Sequence, residues 1–224
     1  MDKKIILGVL ALFVVSLVIL LAAPEDVTDT PATLPWNITH PTPDTVRVFG
    51  VTLGKSTLSE ADKVFKEVSD ISLFKPSEGG MGVEAFMEEV NFNGLKAKIV
   101  MTIAVDPTKL QGMFERGLRM NSTPSGKRIT LTADDLLVVR DSPVASLTYL
   151  PNANLDEAII TKRFGEPAMR IKETRSGAIH WLYPQHGLDV VLGGKERPLL
   201  QYVALNNFEQ LRAPLLKHGE EIKN

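Results

Sequence analysis

The 224-residue chain contains no cysteine. That excludes a disulfide framework, thiolate-bound zinc, iron–sulfur clusters, a cysteine nucleophile and a lipid-modified N-terminal cysteine. A charge excess is also missing, with 25 Lys and Arg against 27 Asp and Glu, so no nucleic-acid partner is expected. The G-x-S-x-G elbow of the α/β-hydrolases does not occur. Ser125-Gly126-Lys127 lacks the preceding glycine of a phosphate loop, and Gly79-Gly80-Met81-Gly82 follows no dinucleotide-binding pattern. No cofactor is implied.

What is present begins at the N-terminus. Residues 5–23 (IILGVLALFVVSLVILLAA) carry no charge, and as a helix they would rise roughly 28 Å, close to the thickness of a bilayer core. Setting this run aside lowers the hydrophobic content from 44% to about 40%, which is ordinary for a soluble body. A cleaved signal peptide is the competing reading. It suffers from Leu20 and Leu21, which stand three positions before cuts after Ala22 or Ala23, where a small residue is needed, and from Pro24. Lys3 and Lys4 precede the run, whereas residues 24–46 hold no Lys or Arg and carry Glu25, Asp26, Asp29 and Asp44. This asymmetry predicts a single-pass inner-membrane anchor with a cytoplasmic N-terminus and a periplasmic C-terminal body.

The expected organisation is therefore an anchor over 1–23, a linker over 24–45, a first α+β unit over 46–120 and a second over 121–224. The linker is rich in proline and threonine, and its 22 residues would reach roughly 70 Å if extended. Its apolar stretch Leu34-Pro35-Trp36-Asn37-Ile38 is expected to dock on the body. In the first unit a strand is predicted over 46–53. A helix over 58–68 should open on the capping box Thr57-Leu58-Ser59-Glu60, and a hairpin should turn at Asn93-Gly94. Asp106-Pro107 should open a helix running to about 120. In the second unit, strands are expected near 128–132 and 144–150, with 133–141 ambiguous. A helix capped within Asn154-Leu155-Asp156-Glu157 should close at Gly165, followed by strands at 168–173, 178–183, 188–192 and 199–205 and a helix over 207–218 bent at Pro214. The fold class expected is α+β: an N-terminal transmembrane helix, then two tandem units of helices with antiparallel sheet.

One stretch carries a resemblance. Phe164-Gly165-Glu166-Pro167, Trp181-Leu182-Tyr183 and Gly187-Leu188 resemble the turn and strands of the SmpA/OmlA/BamE group of bacterial envelope proteins. The resemblance covers about a quarter of the chain and implies a small unit of helices on an antiparallel sheet. Two in tandem look like the β-lactamase-inhibitor-protein architecture, which is associated with binding partners. The group is usually lipid-anchored through an N-terminal cysteine, absent here, so its role in outer-membrane assembly is not carried over.

Candidate chemistry is sparse. His180 and His186, with Asp189 and Glu173 close in sequence, are the best acid–base or metal candidates, but their spacing is not that of paired ligands on one helix, and a third ligand is lacking. No metal site is expected. Glu78, Glu84, Glu88 and Glu89 read as a solvated strand face rather than as paired catalytic carboxylates. The binding residues put forward are Trp181, Tyr183, His186 and Glu84, although the aromatic set of Phe164, Trp181, Tyr183, Tyr202 and Phe208 suits a core better than a ligand platform. The function expected is a membrane-tethered periplasmic binding or scaffolding protein without catalytic activity, engaging another envelope protein through a sheet face or the turns at 79–82 and 185–187. The alternatives are a periplasmic hydrolase acting on an envelope polymer and a carrier of an apolar ligand.

Overall fold

The computed structural model describes residues 34–222 apart from Glu78, Asn93, Lys195 and Glu196. The run 5–23 lies outside the described residues, among which no helix is long and apolar enough to cross a membrane.

The chain enters the body as a strap over residues 34–46 and makes a small hairpin from β1 (Arg47–Val48) and β2 (Val51–Thr52). The single strand expected over 46–53 is broken because Phe49 and Gly50 both take positive φ, at 53° and 83°. That is the backbone of a tight two-residue hairpin turn. Thr57 then caps α1 (Leu58–Phe65) through the expected box, with Glu60 N–H donating to Thr57 Oγ1 and Thr57 N–H to Glu60 Oε2. The helix stops before 68 because Lys66 turns left-handed. Next come β3 (Asp70–Pro76), β4 (Gly82–Phe92) and β5 (Leu95–Ile103), then α2 (Pro107–Glu115), capped by Asp106. Residues 119 and 120 do not prolong that helix. They begin β6 (Arg119–Thr123), which turns into β7 (Gly126–Thr130).

The ambiguous segment is helical, as α3 (Ala133–Arg140) capped by Thr132, and leads into β8 (Val144–Pro151). Asp156 caps α4 (Glu157–Phe164) by accepting from Ile159 N–H. There follow β9 (Met169–Glu173), β10 (Ile179–Tyr183), β11 (Leu188–Leu192), β12 (Leu199–Val203), α5 (Phe208–His218) and an unexpected final strand, β13 (Gly219–Ile222).

Two tandem units are not what these elements build. Eleven strands form one antiparallel sheet in the order β13-β9-β10-β11-β12-β8-β5-β4-β3-β7-β6. The halves meet at β5 and β8, which pair from Ala97↔Pro151 to Ile103↔Val144. The reason is physical. Separate sheets would leave β5 and β8 as long edges with unpaired backbone groups and apolar inward faces, and pairing them satisfies both.

One face of the sheet carries the main core. Alternate residues Ala97, Ile99, Met101 and Ile103 of β5 join Leu147 and Tyr149 of β8, Val190 of β11 and Tyr202 of β12. Helices α1 to α4 add Phe65, Met113, Val139 and Ile160 to the same cluster. A smaller second core lies where α5 brings Phe208 against Ile171, Leu182 and Val203.

Phe49 lies at the centre of the main core. Its ring is fully buried and meets Phe92, Tyr149, Phe65 and Tyr202 at centroid distances of 4.7, 5.3, 6.1 and 6.1 Å. These four come from β4, β8, α1 and β12, so one side chain joins both halves of the sheet. Phe49→Ala should lower stability by about 3–5 kcal/mol. Phe49→Gly, which removes the ring but relieves the left-handed backbone, should be milder by about 1 kcal/mol. Chemical denaturation of the two variants checks both the loss and its order.

Candidate functional site

The sequence-derived candidates separate into three neighbourhoods. Trp181 and Tyr183 lie in the core, 2% and 0% exposed. The Arg170 guanidinium stacks over the Trp181 ring at 4.0 Å. Tyr183 donates its hydroxyl to Gly165 C=O at 2.9 Å and packs on Phe164 at 5.7 Å. Burial, with the Glu166 charge, pushes its hydroxyl up to about 12. The aromatic strand and the glycine turn of the resemblance are thus two sides of one structural lock. Gly187 is fixed for a related reason. It takes φ of 58°, and a Cβ there would meet Val203 C=O at 2.2 Å, so alanine does not fit.

Glu84 belongs to the sheet face opposite the main core, paired in register with Ser72 and Thr102. Its acidic neighbours are neutralised across the hairpin, where Lys96 holds Glu89 at 2.8 Å and Lys98 holds Glu88 at 2.5 Å. Glu78 lies outside the described residues.

His180 is on that opposite face too, at the far end of the sheet. Its Nδ1 lies 2.7 Å from Asp189 Oδ2, a diagonal pair across β10 and β11. Burial opposes a charged imidazole, but the Asp189 hydrogen bond and charge, with Glu173 behind them, raise the His180 pKa overall. Asp189 is 1% exposed, and burial raises its pKa against the pull of His180. The direction that governs the pair is that of His180, because the proton it shares with Oδ2 is the one stabilising contact of a carboxylate whose Oδ1 has no hydrogen-bond partner among the described residues. Neither cavity described below includes this pair in its lining.

His186 is held elsewhere. It ends the short 3-10 turn Pro184–His186 and stacks on His40 of the strap, with ring centroids 6.2 Å apart and planes 9° from parallel. His40 Nδ1 donates to Thr45 C=O at 2.8 Å. Burial and the neighbouring His40 lower the His186 pKa. No group of three or more metal-capable side chains occurs among the described residues.

The strap builds a site that sequence reasoning did not locate. Its Pro35 C=O accepts from the buried Tyr202 hydroxyl at 2.8 Å. Trp36 lies under the Arg163 guanidinium of α4, 4.0 Å from its ring centre. Between strap, helix and sheet is a cavity of about 290 Å³. Leu95, Tyr149, Pro151 and Leu200 line it from the sheet and Ile159, Ile160 and Phe164 from α4. A lone Pro35-Trp36 element in a polar linker was the available signal, and the docking expected of Trp36 is what the structure contains. A second cavity of about 260 Å³ at Thr42, Lys55 and Asn207 is polar and more open.

No family model, curated protein or solved structure matches the chain.

Two pH responses of opposite sign follow. His180 has a raised folded pKa, so its contribution is full below about pH 6.5 and is lost as pH rises through the folded value. The stability gap between the wild type and His180→Ala should reach about 3 kcal/mol at pH 6 and shrink in alkali; a gap that grows with pH contradicts the assignment. His186 has a lowered folded pKa, so its contribution holds above about pH 6.5 and is lost as pH falls through the folded value. Trp36 fluorescence should therefore report strap loosening in acid, and His186→Ala should remove that transition.

Proposed function

We propose that this chain is a membrane-tethered envelope protein that binds rather than catalyses, with the strap cavity as its binding site. The cavity carries the reading. It is near the lower end of the roughly 300–1,000 Å³ usual for ligand pockets, and its mix of apolar walls with a few polar groups at the rim is the usual composition of such sites. Its walls are two prolines, six aliphatic side chains and three aromatic rings, which favour an apolar group over a polar substrate.

The tether rests on the uncharged run 5–23 and the basic residues before it. On the same basis the body is assigned to the periplasmic side of the inner membrane. Kinship with the SmpA/OmlA/BamE group remains part of this proposal, supported by the lock that joins Gly165 to Tyr183 and by the close packing at Gly187. The hydrolase alternative would draw on His180 and Asp189. An acid–base pair must reach its substrate, and the carboxylate here is enclosed beneath the sheet face.

The absence of cysteine permits a clean topology test. Val68→Cys, at a position 71% exposed, should react with an impermeant maleimide in spheroplasts; labelling only after lysis would contradict the orientation. For binding, the full chain in phosphatidylcholine nanodiscs should be photolabelled by an uncharged diazirine-bearing decanol at peptides containing Trp36 or Ile159–Phe164. Ala153→Trp, which adds an indole at a lining position of the cavity, should cut labelling about tenfold with the melting temperature unchanged. Labelling spread over the surface and insensitive to Ala153→Trp would refute the site.

A further inference from the structure

The cavity has two ends of different character. Its interior is apolar, whereas Lys162 and Arg163 stand at the rim, and no carboxylate is among its lining residues. Arg163 makes no ion pair or hydrogen bond recorded among the described residues, unlike Arg116, Arg140, Arg170 and Arg212, each of which meets a carboxylate. A cation–π contact with Trp36 holds it without one. The guanidinium lies over the Trp36 ring, and a stacked guanidinium keeps its N–H donors at its edge, directed away from the ring. That edge is the geometry a carboxylate or phosphate accepts in a bidentate manner.

Size sets the apolar part. A water molecule accounts for roughly 30 Å³ of liquid and a methylene is of comparable bulk, so a cavity of about 290 Å³ takes one chain of about ten carbons. Two chains of that length would not fit.

We propose that the strap cavity binds a single-chain amphiphile, its alkyl chain against Tyr149, Leu200 and Ile160 and its anionic head on the edge of the Arg163 guanidinium. This rests on the apolar binding reading above and adds the head group and the number of chains. Trp36 then has two roles, as a wall of the cavity and as the plate that presents Arg163. Anion binding couples to strap docking, because strap release removes that plate.

The test compares heads on one chain length. The full-length protein in phosphatidylcholine nanodiscs is photolabelled with a diazirine-bearing decanoate, and unlabelled decanoate or decanol is added as competitor. Decanoate should compete at about one-tenth the concentration of decanol. Arg163→Gln should bring the two to within about twofold, whereas Arg163→Lys, which keeps the charge, should retain most of the preference. Lys162→Gln, on the same rim but away from the stack, should reduce the preference by less and guards against a folding defect in the first variant. Equal competition in the unmodified protein, or full preference in the Lys162→Gln/Arg163→Gln double variant, overturns the assignment of the head while leaving the apolar pocket standing. Displacement by phosphatidylglycerol in the disc, which carries two chains, overturns the single-chain assignment. Failure of both decanol and decanoate to label the cavity removes the pocket itself.

Discussion

The ring of Phe49 is the contact on which the rest of the molecule depends. A two-residue turn with both φ angles positive is unfavourable for phenylalanine, and it persists because the turn drives the ring into Phe65, Phe92, Tyr149 and Tyr202. Those four residues come from one helix and from strands on both sides of the β5–β8 seam. Burial of several aromatic rings in mutual contact far exceeds the backbone strain, since each ring contributes its buried area and favourable edge or offset geometry. The seam itself supplies the backbone hydrogen bonds, and Phe49 supplies the packing that makes the seam cohesive.

The strap inherits its position from this cluster. Tyr149 contributes to the cluster and to the cavity lining, and Tyr202 contributes to the cluster and holds Pro35. Trp36 is then placed under Arg163, and His40 on His186. A chain of contacts therefore runs from the turn at Phe49 to the rim of the cavity. The two histidines of the second half are wired differently. His180 strengthens the far end of the sheet when protonated, whereas His186 favours the docked strap when neutral, so acidification acts on the two regions in opposite directions.

Local signals were legible in the sequence because their physics is local. The capping residues Thr57 and Asp106, the hairpin arms around Gly94 and the alternation of β5 depend on neighbours within a few residues. The turn at Phe49 was not legible, because a bulky residue at positive φ has no local warrant and is justified only by rings distant in sequence. For the same reason the merger of two expected units into one sheet was hidden. The β5–β8 pairing joins segments separated by a helix, a hairpin and another helix, and nothing in either strand names its partner. Among the site residues, His180 and Asp189 were visible as neighbours in sequence, and Trp181 and Tyr183, named as binding candidates within an aromatic set that suited a core, belong to the core. The cavity escaped because Trp36 and Arg163 are far apart in the chain, and only the folded sheet brings them together.

If Phe49 and the β5–β8 seam make one cooperative body, no half of the sheet can open alone. Native-state hydrogen exchange under increasing denaturant tests this directly. The slowest amides of β4 and β5 and those of β11 and β12 should converge on one opening free energy with one denaturant slope, the signature of a single global unfolding unit. Two distinct plateaus, with either set exchanging through its own lower-energy opening while the other stays protected, would contradict the account.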